Sequence, residues 1–211
     1  MNENDLWLQR WKNREIGFNQ DKPNAFMLKY FSSLDLSKGS RVLVPLCGKS
    51  IDISWLLSQG YEVIGIELSE QAIIELFEEL GVEPDVSTLG ELLVYSANSI
   101  TIYVGDIFKV STKILGKIDA VYDRAALVAL TTELRVAYAS HLRGITNNAS
   151  QLLLCFEYDQ SLMDRSPYSV DEDEVTRHYG DVYTLGLLAR ESIEGGFKGK
   201  LPASDVVWLL K

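Results

Sequence analysis

The chain has 211 residues, 46% of them hydrophobic and 24% charged, and carries a formal net charge of −10. That is enough sequence for one sizeable core of ordinary soluble composition, and the expectation is a single domain over residues 1–211. The acidic balance, without a basic stripe, argues against DNA or RNA as a partner, and no apolar run approaches the roughly 18 residues that cross a membrane.

The N-terminus, MNENDLWLQRW, is polar and acidic, which suits neither a signal peptide nor a basic transit peptide; cytoplasmic residence is expected. Trp7 and Trp11 lie four residues apart, on one face of a first helix, and a second helix is expected over residues 24–34. Residues 1–35 thus look like a helical cover appended to the rest. A helix that merely packs its tryptophans on a core would look the same. An apolar run follows (Val42, Leu43, Val44), breaks at Pro45 and reaches a single glycine, Gly48. After a helical segment, a second run (Val63, Ile64, Ile66) stops on Glu67. Ser69 is a good N-cap for a helix over Glu70–Leu80. Residues 92–95 and 100–104 flank a short polar turn and read as a hairpin whose second strand enters Gly105-Asp106-Ile107-Phe108. A strand over 118–122 ends at Asp123-Arg124, and an amphipathic helix over 132–143 and an apolar strand over 151–158 follow. A short helix over 171–179 and strands over 182–188 and 206–210 close the chain. Strands and helices that alternate, then a terminal strand pair, give an α/β fold with a mostly parallel sheet and an antiparallel edge.

In such a sheet, ligands sit outside the carboxyl ends of the strands. Here those ends offer Leu46 and Gly48, Glu67, Asp106, and Asp123 with Arg124. An ionised carboxylate at the position of Glu67 can accept from both hydroxyls of a ribose, at roughly 1.5–3 kcal/mol each when charge-assisted. A solvated strand-end acid is the plainer reading of Glu67, as an Asx turn is of Asp106. The turn lacks the G-x-G-x-x-G of a dinucleotide site, and a Walker loop would need glycine where Leu43 stands. A nucleoside cofactor without phosphates fits better, and S-adenosylmethionine is the commonest. Methyl transfer from a sulfonium asks chiefly for in-line positioning. Cys47 and Cys155 read as buried, reduced thiols, and His141 and His178 fall on helices apart from other ligands, so neither a metal site nor a nucleophile–base pair assembles.

Several longer motifs are more specific: WLQRWKNREIGFNQ (7–20), RVLVPLCGKSIDISWL (41–56), GYEVIGIELSEQAI (60–73), GDIF (105–108) and YDRAALVAL (122–130). With them the chain resembles the bacterial thiopurine S-methyltransferase family over nearly its whole length. The resemblance implies a three-layer, Rossmann-like methyltransferase fold, with a seven-stranded, mostly parallel sheet, an antiparallel edge strand and an N-terminal helical lid. It implies S-adenosylmethionine as cofactor, bound through Trp11, Leu46, Gly48, Glu67, Asp106, Ile107 and Arg124, with Phe18 over the substrate side. It also implies methylation of small aromatic or heterocyclic thiols, a detoxification role, and a link to selenium and tellurium. Two departures fall where substrate should enter: Asn19 stands in place of a usual histidine, and the GPPF-like turn is Arg165-Ser166-Pro167-Tyr168. We expect a monomer that meets a small thiol or selenol and uses no metal. Arg124 is the best cation for a thiolate. A methyltransferase-fold protein that binds nucleosides as a sensor or scaffold, without turnover, stays open; a nicotinamide-dependent reductase survives weakly.

Overall fold

The computed structural model describes residues 3–197 and 199–211. Helices α1 (Glu3–Lys12) and α2 (Ala25–Tyr30) precede strand β1 (Arg41–Pro45), helix α3 (Asp52–Ser58), β2 (Glu62–Glu67) and α4 (Glu70–Leu80). Strands β3 (Asp85–Leu89), β4 (Leu92–Ala97) and β5 (Ile100–Val104) form a meander, followed by α5 (Thr112–Leu115) and β6 (Ala120–Arg124). Helix α6 (Thr132–Thr146), β7 (Ser150–Tyr158), α7 (Glu172–Tyr179), β8 (Leu185–Ser192) and β9 (Ala203–Leu210) complete the chain.

The strands form one sheet in the order β3-β4-β5-β2-β1-β6-β7-β9-β8. From β5 to β7 neighbouring strands run parallel, so their carboxyl ends share one rim; both flanks are antiparallel. The sheet therefore has nine strands and two antiparallel edges, against the seven and one that the resemblance implies. Part of the excess is β3, whose five residues are all exposed and pair only with β4, so burial leaves no mark on its sequence.

Alternation along the strands splits the core between two faces. Val42 and Val44 of β1 pack with Met27, Phe31, Ile53, Leu56, Ile73 and Leu76, while Leu43 packs with Tyr138, Leu142, Val175 and Tyr179. Helices α2, α3 and α4 thus cover one face and α6 and α7 the other, which are the three layers expected. Helix α4 starts where its N-cap predicts: Ser69 Oγ accepts from the Ala72 amide. Helix α2 is instead capped by Asn24, whose side chain accepts from the Phe26 and Met27 amides, and it tightens into a 3-10 turn at Phe31–Leu34. No helix among the described residues is long and apolar enough to cross a membrane.

Candidate functional site

The turn after β1 is built from an unusual backbone. Leu46 has φ +45° and Gly48 φ +52°, so a bulky residue takes the left-handed region beside the glycine. That conformation costs a branched side chain on the order of 1–3 kcal/mol and is held by its surroundings. The Cys47 amide donates to the Ile66 carbonyl at 3.1 Å, and the Gly48 amide donates to Glu67 Oε2 at 2.8 Å. The Ser50 amide closes the turn on the Cys47 carbonyl at 3.2 Å.

Glu67 ends β2 at 6% exposure. Its other oxygen, Oε1, accepts from the Ser69 amide at 2.8 Å. Burial raises its pKa, and the Ser69, Gly48 and Leu68 amides draw it back down. The acid is thus neither solvated nor free: it stitches the Gly48 turn to the start of α4. Each oxygen keeps a second lone pair for a further donor. Alongside, the Gly105 amide donates to the Glu67 carbonyl at 2.8 Å, which seats Asp106 next to the acid. Asp106 forms the Asx turn that the sequence allows, its Oδ1 accepting from the Phe108 amide at 2.9 Å, and Ile107 is buried. His141 on α6 reaches the same segment: its Nε2 lies 2.9 Å from the Ile107 carbonyl, a contact in which the ring must donate.

Helix α1 crosses this rim. A Cβ on Gly48 would stand 3.0 Å from the Trp11 ring, so the glycine is what lets that ring lie down on the turn. Trp11 is 3% exposed, and Phe18 meets both Trp11 and Trp7 edge-on, with centroids 5.6 and 5.8 Å apart. Arg14 pairs with Glu75 of α4 at 2.5 Å, and Arg10, stacked over Trp7, donates to Ser166 Oγ at 2.7 Å. The tryptophan pair of the sequence is therefore the underside of a segment fastened to the rim at both ends.

Strand β6 corrects the expectation for its end. It runs through Arg124 instead of stopping at Tyr122, so alternation sends Asp123 to the opposite face from Tyr122 and Arg124. Asp123 is fully buried and accepts from the Leu127 amide at 3.1 Å and from Tyr138 Oη at 2.6 Å, holding the left-handed turn at Ala125. Burial lifts its pKa to about 6 despite those bonds. It is a core carboxylate and no part of the crevice.

Arg124, at the end of the same strand, is anchored from within the protein. Its Nε donates to Asp52 Oδ2 at 2.7 Å and its Nη2 to Ser50 Oγ at 3.1 Å. Asp52 is fully buried at the start of α3, and also accepts from Tyr122 Oη at 3.0 Å and, on Oδ1, from the Asn24 amide at 2.8 Å. The arginine charge is therefore paired with a buried carboxylate. Asp52, Ser50 and Tyr122 escape sequence reasoning: an acid in the first turn of a helix ordinarily answers the helix dipole, and its partner lies 72 residues away.

Of the residues proposed from the sequence, Gly48 is bonded to Glu67, the Trp11 ring lies on Gly48 with Phe18 edge-on to it, and Asp106 and Ile107 follow Gly105, whose amide bonds the Glu67 carbonyl, whereas Arg124 reaches only Ser50 and Asp52. His178 lies elsewhere, buried on α7 with Nε2 3.1 Å from Glu174 Oε1. Cys47 and Cys155 are buried thiols whose pKa burial pushes well up.

A mostly parallel sheet covered by helices on both faces, with a single-glycine turn and a strand-end acid at its carboxyl rim, is an open α/β fold of the kind that binds ligands at that rim. Solved structures agree on the fold. A SAM-dependent methyltransferase from Anabaena variabilis superposes with TM-score 0.65 at 16% identity, covering 100% of this chain and 96% of that one. Magnesium protoporphyrin IX methyltransferase from Synechocystis, solved with SAM bound, gives 0.63 at 16% identity, covering 100% and 98%. The sequence profile described as thiopurine S-methyltransferase matches residues 2–202. The chain belongs to the thiopurine S-methyltransferase family. It is 48% identical to the thiopurine S-methyltransferase of Xanthobacter autotrophicus over 210 residues, 99% of each chain. The same enzyme of Teredinibacter turnerae is 50% identical over 205 residues, 97% of this chain and 95% of that one.

Proposed function

We propose that the chain binds S-adenosylmethionine along this rim and transfers its methyl group to the sulfur of small aromatic or heterocyclic thiols, with selenium and tellurium nucleophiles as softer members of the same class. The observation that carries the reading is Glu67: buried, at the end of β2, aligned by two backbone amides and still able to accept from a ribose diol. In this reading Asp106 and Ile107 flank the adenine, Trp11, Leu46, Gly48 and Arg124 line the rest of the cofactor, and Phe18 faces the thiol. Bound S-adenosylmethionine supplies an activated methyl on a sulfonium. The chain supplies positioning and a site covered by α1; held in near-attack geometry, such reactants gain roughly 7–11 kcal/mol. The reading uses no histidine base: His141 donates from Nε2 to the Ile107 carbonyl on the adenine side, and His178 lies on α7 against Glu174. With Arg124 paired to Asp52 and read as a cofactor contact, the route we favour is that the thiol enters already ionised. We assign this activity, as part of the same proposal, a detoxifying role in the cytoplasm.

The test is methyl transfer to 6-mercaptopurine and to a thiophenol, profiled against pH. The rising limb of kcat/KM should follow each thiol's own pKa, with acidic aromatic thiols ahead of alkyl thiols such as cysteine. A limb shared by both thiols at about 6.5 would reveal an enzyme base and refute the mechanism. Failure to bind S-adenosylhomocysteine at millimolar ligand would refute the function, and binding without transfer to any thiol or to selenite would make the chain a nucleoside sensor.

A further inference from the structure

We infer that Asp52 is a positioning residue for this reaction, acting through Arg124; the inference rests on the cofactor-binding reading above. A guanidinium at a binding rim is useful only if its fork is aimed, and a free arginine has many rotamers. Here two of its nitrogens are fixed from behind, Nε by Asp52 Oδ2 at 2.7 Å and Nη2 by Ser50 Oγ at 3.1 Å. Nη1 is left without a hydrogen-bond partner among the described residues. The arginine side chain is 12% exposed and Asp52 not at all, so the pair is screened little.

Asp52 is itself over-determined. Tyr122 Oη and the Asn24 amide hold it at 3.0 and 2.8 Å, and its own amide leans on Ser50 Oγ at 3.3 Å. Tyr122 and Arg124 reach it because they are alternate residues of β6, on the same side of the sheet. Asn24 is the N-cap of α2, where the segment descending from α1 joins the body. The aim of Arg124 is thus referred to three separate elements. Its charge is balanced in place, so what it offers a ligand is directed hydrogen bonds more than a long-range field.

Asp52→Asn isolates the role. Whichever way the amide turns, its Nδ2 faces a donor: Arg124 Nε–H, which cannot reverse, or the Asn24 amide. Titration of the full-length protein with S-adenosylhomocysteine should show Asp52→Asn weakening affinity about 10- to 100-fold. Because Asp52 works through Arg124, the same change in an Arg124→Ala background should cost less than about threefold further. Asp52→Glu, which restores the charge at a longer reach, should recover part of the loss. Affinity for Asp52→Asn within threefold of wild type overturns the inference, and so do losses that simply add in the double variant. If Asp52→Asn fails to fold, Ser50→Ala removes the second anchor and should weaken binding about 3- to 10-fold, non-additively with Arg124→Ala; an unchanged affinity there overturns it equally. A wild type that does not bind defeats the functional reading and this inference together, whereas a wild type and Asp52→Asn that bind alike defeat this inference only.

Discussion

Replacing Glu67 by glutamine probes the site at its most informative atom pair. In the wild type, Oε2 accepts from the Gly48 amide and Oε1 from the Ser69 amide, both at 2.8 Å. A glutamine must turn its Nε2 toward one of them, setting donor against donor. One buried amide then loses its partner, at about 1–3 kcal/mol, and one charge-assisted bond to the ribose is lost as well, at about 1.5–3 kcal/mol. Against this, the neutral side chain escapes the desolvation that raises the carboxylate's pKa, so stability changes little and the loss appears chiefly in binding. The expected cost in affinity is that of the one lost ribose bond, about 1.5–3 kcal/mol, or roughly 10- to 150-fold. Calorimetric titration with S-adenosylhomocysteine reads it, beside a thermal melt that checks folding. The raised pKa adds a second signature: wild-type affinity should decline as the medium turns mildly acidic and Glu67 takes up a proton, and the glutamine variant should show no such decline. A cooperatively folded variant that binds within threefold of wild type would refute the assignment of this acid to the ribose.

Two further outcomes follow from the cover and from the buried acid of β6. If α1 and the segment to Phe18 close over a ligand, proteolysis between residues 7 and 20 should be readily seen in the free protein and suppressed by S-adenosylhomocysteine; equal protection in both states would mark a fixed structural helix. Asp123 has its pKa raised to about 6 by burial, so the folded chain holds that proton more tightly than the unfolded one. Its share of stability therefore grows as pH falls from about 6 to about 4, by on the order of 2–3 kcal/mol, and is lost above. Asp123→Asn should flatten the wild-type slope of urea stability across that window, and an unchanged slope would show that Asp123 does not titrate there.

Legibility tracks how local the causes are. The strand–turn–helix–strand unit from Arg41 to Glu67 could be read because each step has a short-range signal: an apolar run, a glycine, a helical period, a second run and an acid. Ser69 as N-cap and the turn between β4 and β5 were legible for the same reason. What failed was set at long range. Ending β6 two residues early put Asp123 on the rim, because the strand's true length is fixed by pairing with β7, where Asp123 stands opposite Leu153 and Arg124 opposite Leu154. Asp52 was invisible because its partners, Asn24, Tyr122 and Arg124, come from three different segments. The place of Glu67 at the end of β2 is legible, but not that its carboxylate holds the turn.

The carboxylate's hold on the turn explains how one glycine suffices where dinucleotide sites use three. A phosphate-binding turn keeps its amides free to point at the anion, and the glycines let the backbone come close enough. Here the Cys47 and Gly48 amides are already consumed by the Ile66 carbonyl and the Glu67 carboxylate, and the Ser50 amide by the Cys47 carbonyl. With those donors spent, the turn is poorly equipped to cradle a pyrophosphate, and the carboxylate among its amides would repel one. The same bonds hold Leu46 in a left-handed conformation that the chain would otherwise abandon, which moves the cost of the turn from sequence composition to tertiary contact. A crevice with spent amides, a buried acid and a paired arginine is matched to a nucleoside ligand that carries a positive centre and no phosphate. In the proposed reading the departure from the multi-glycine loop contributes to selectivity, because it is Glu67 that closes the turn.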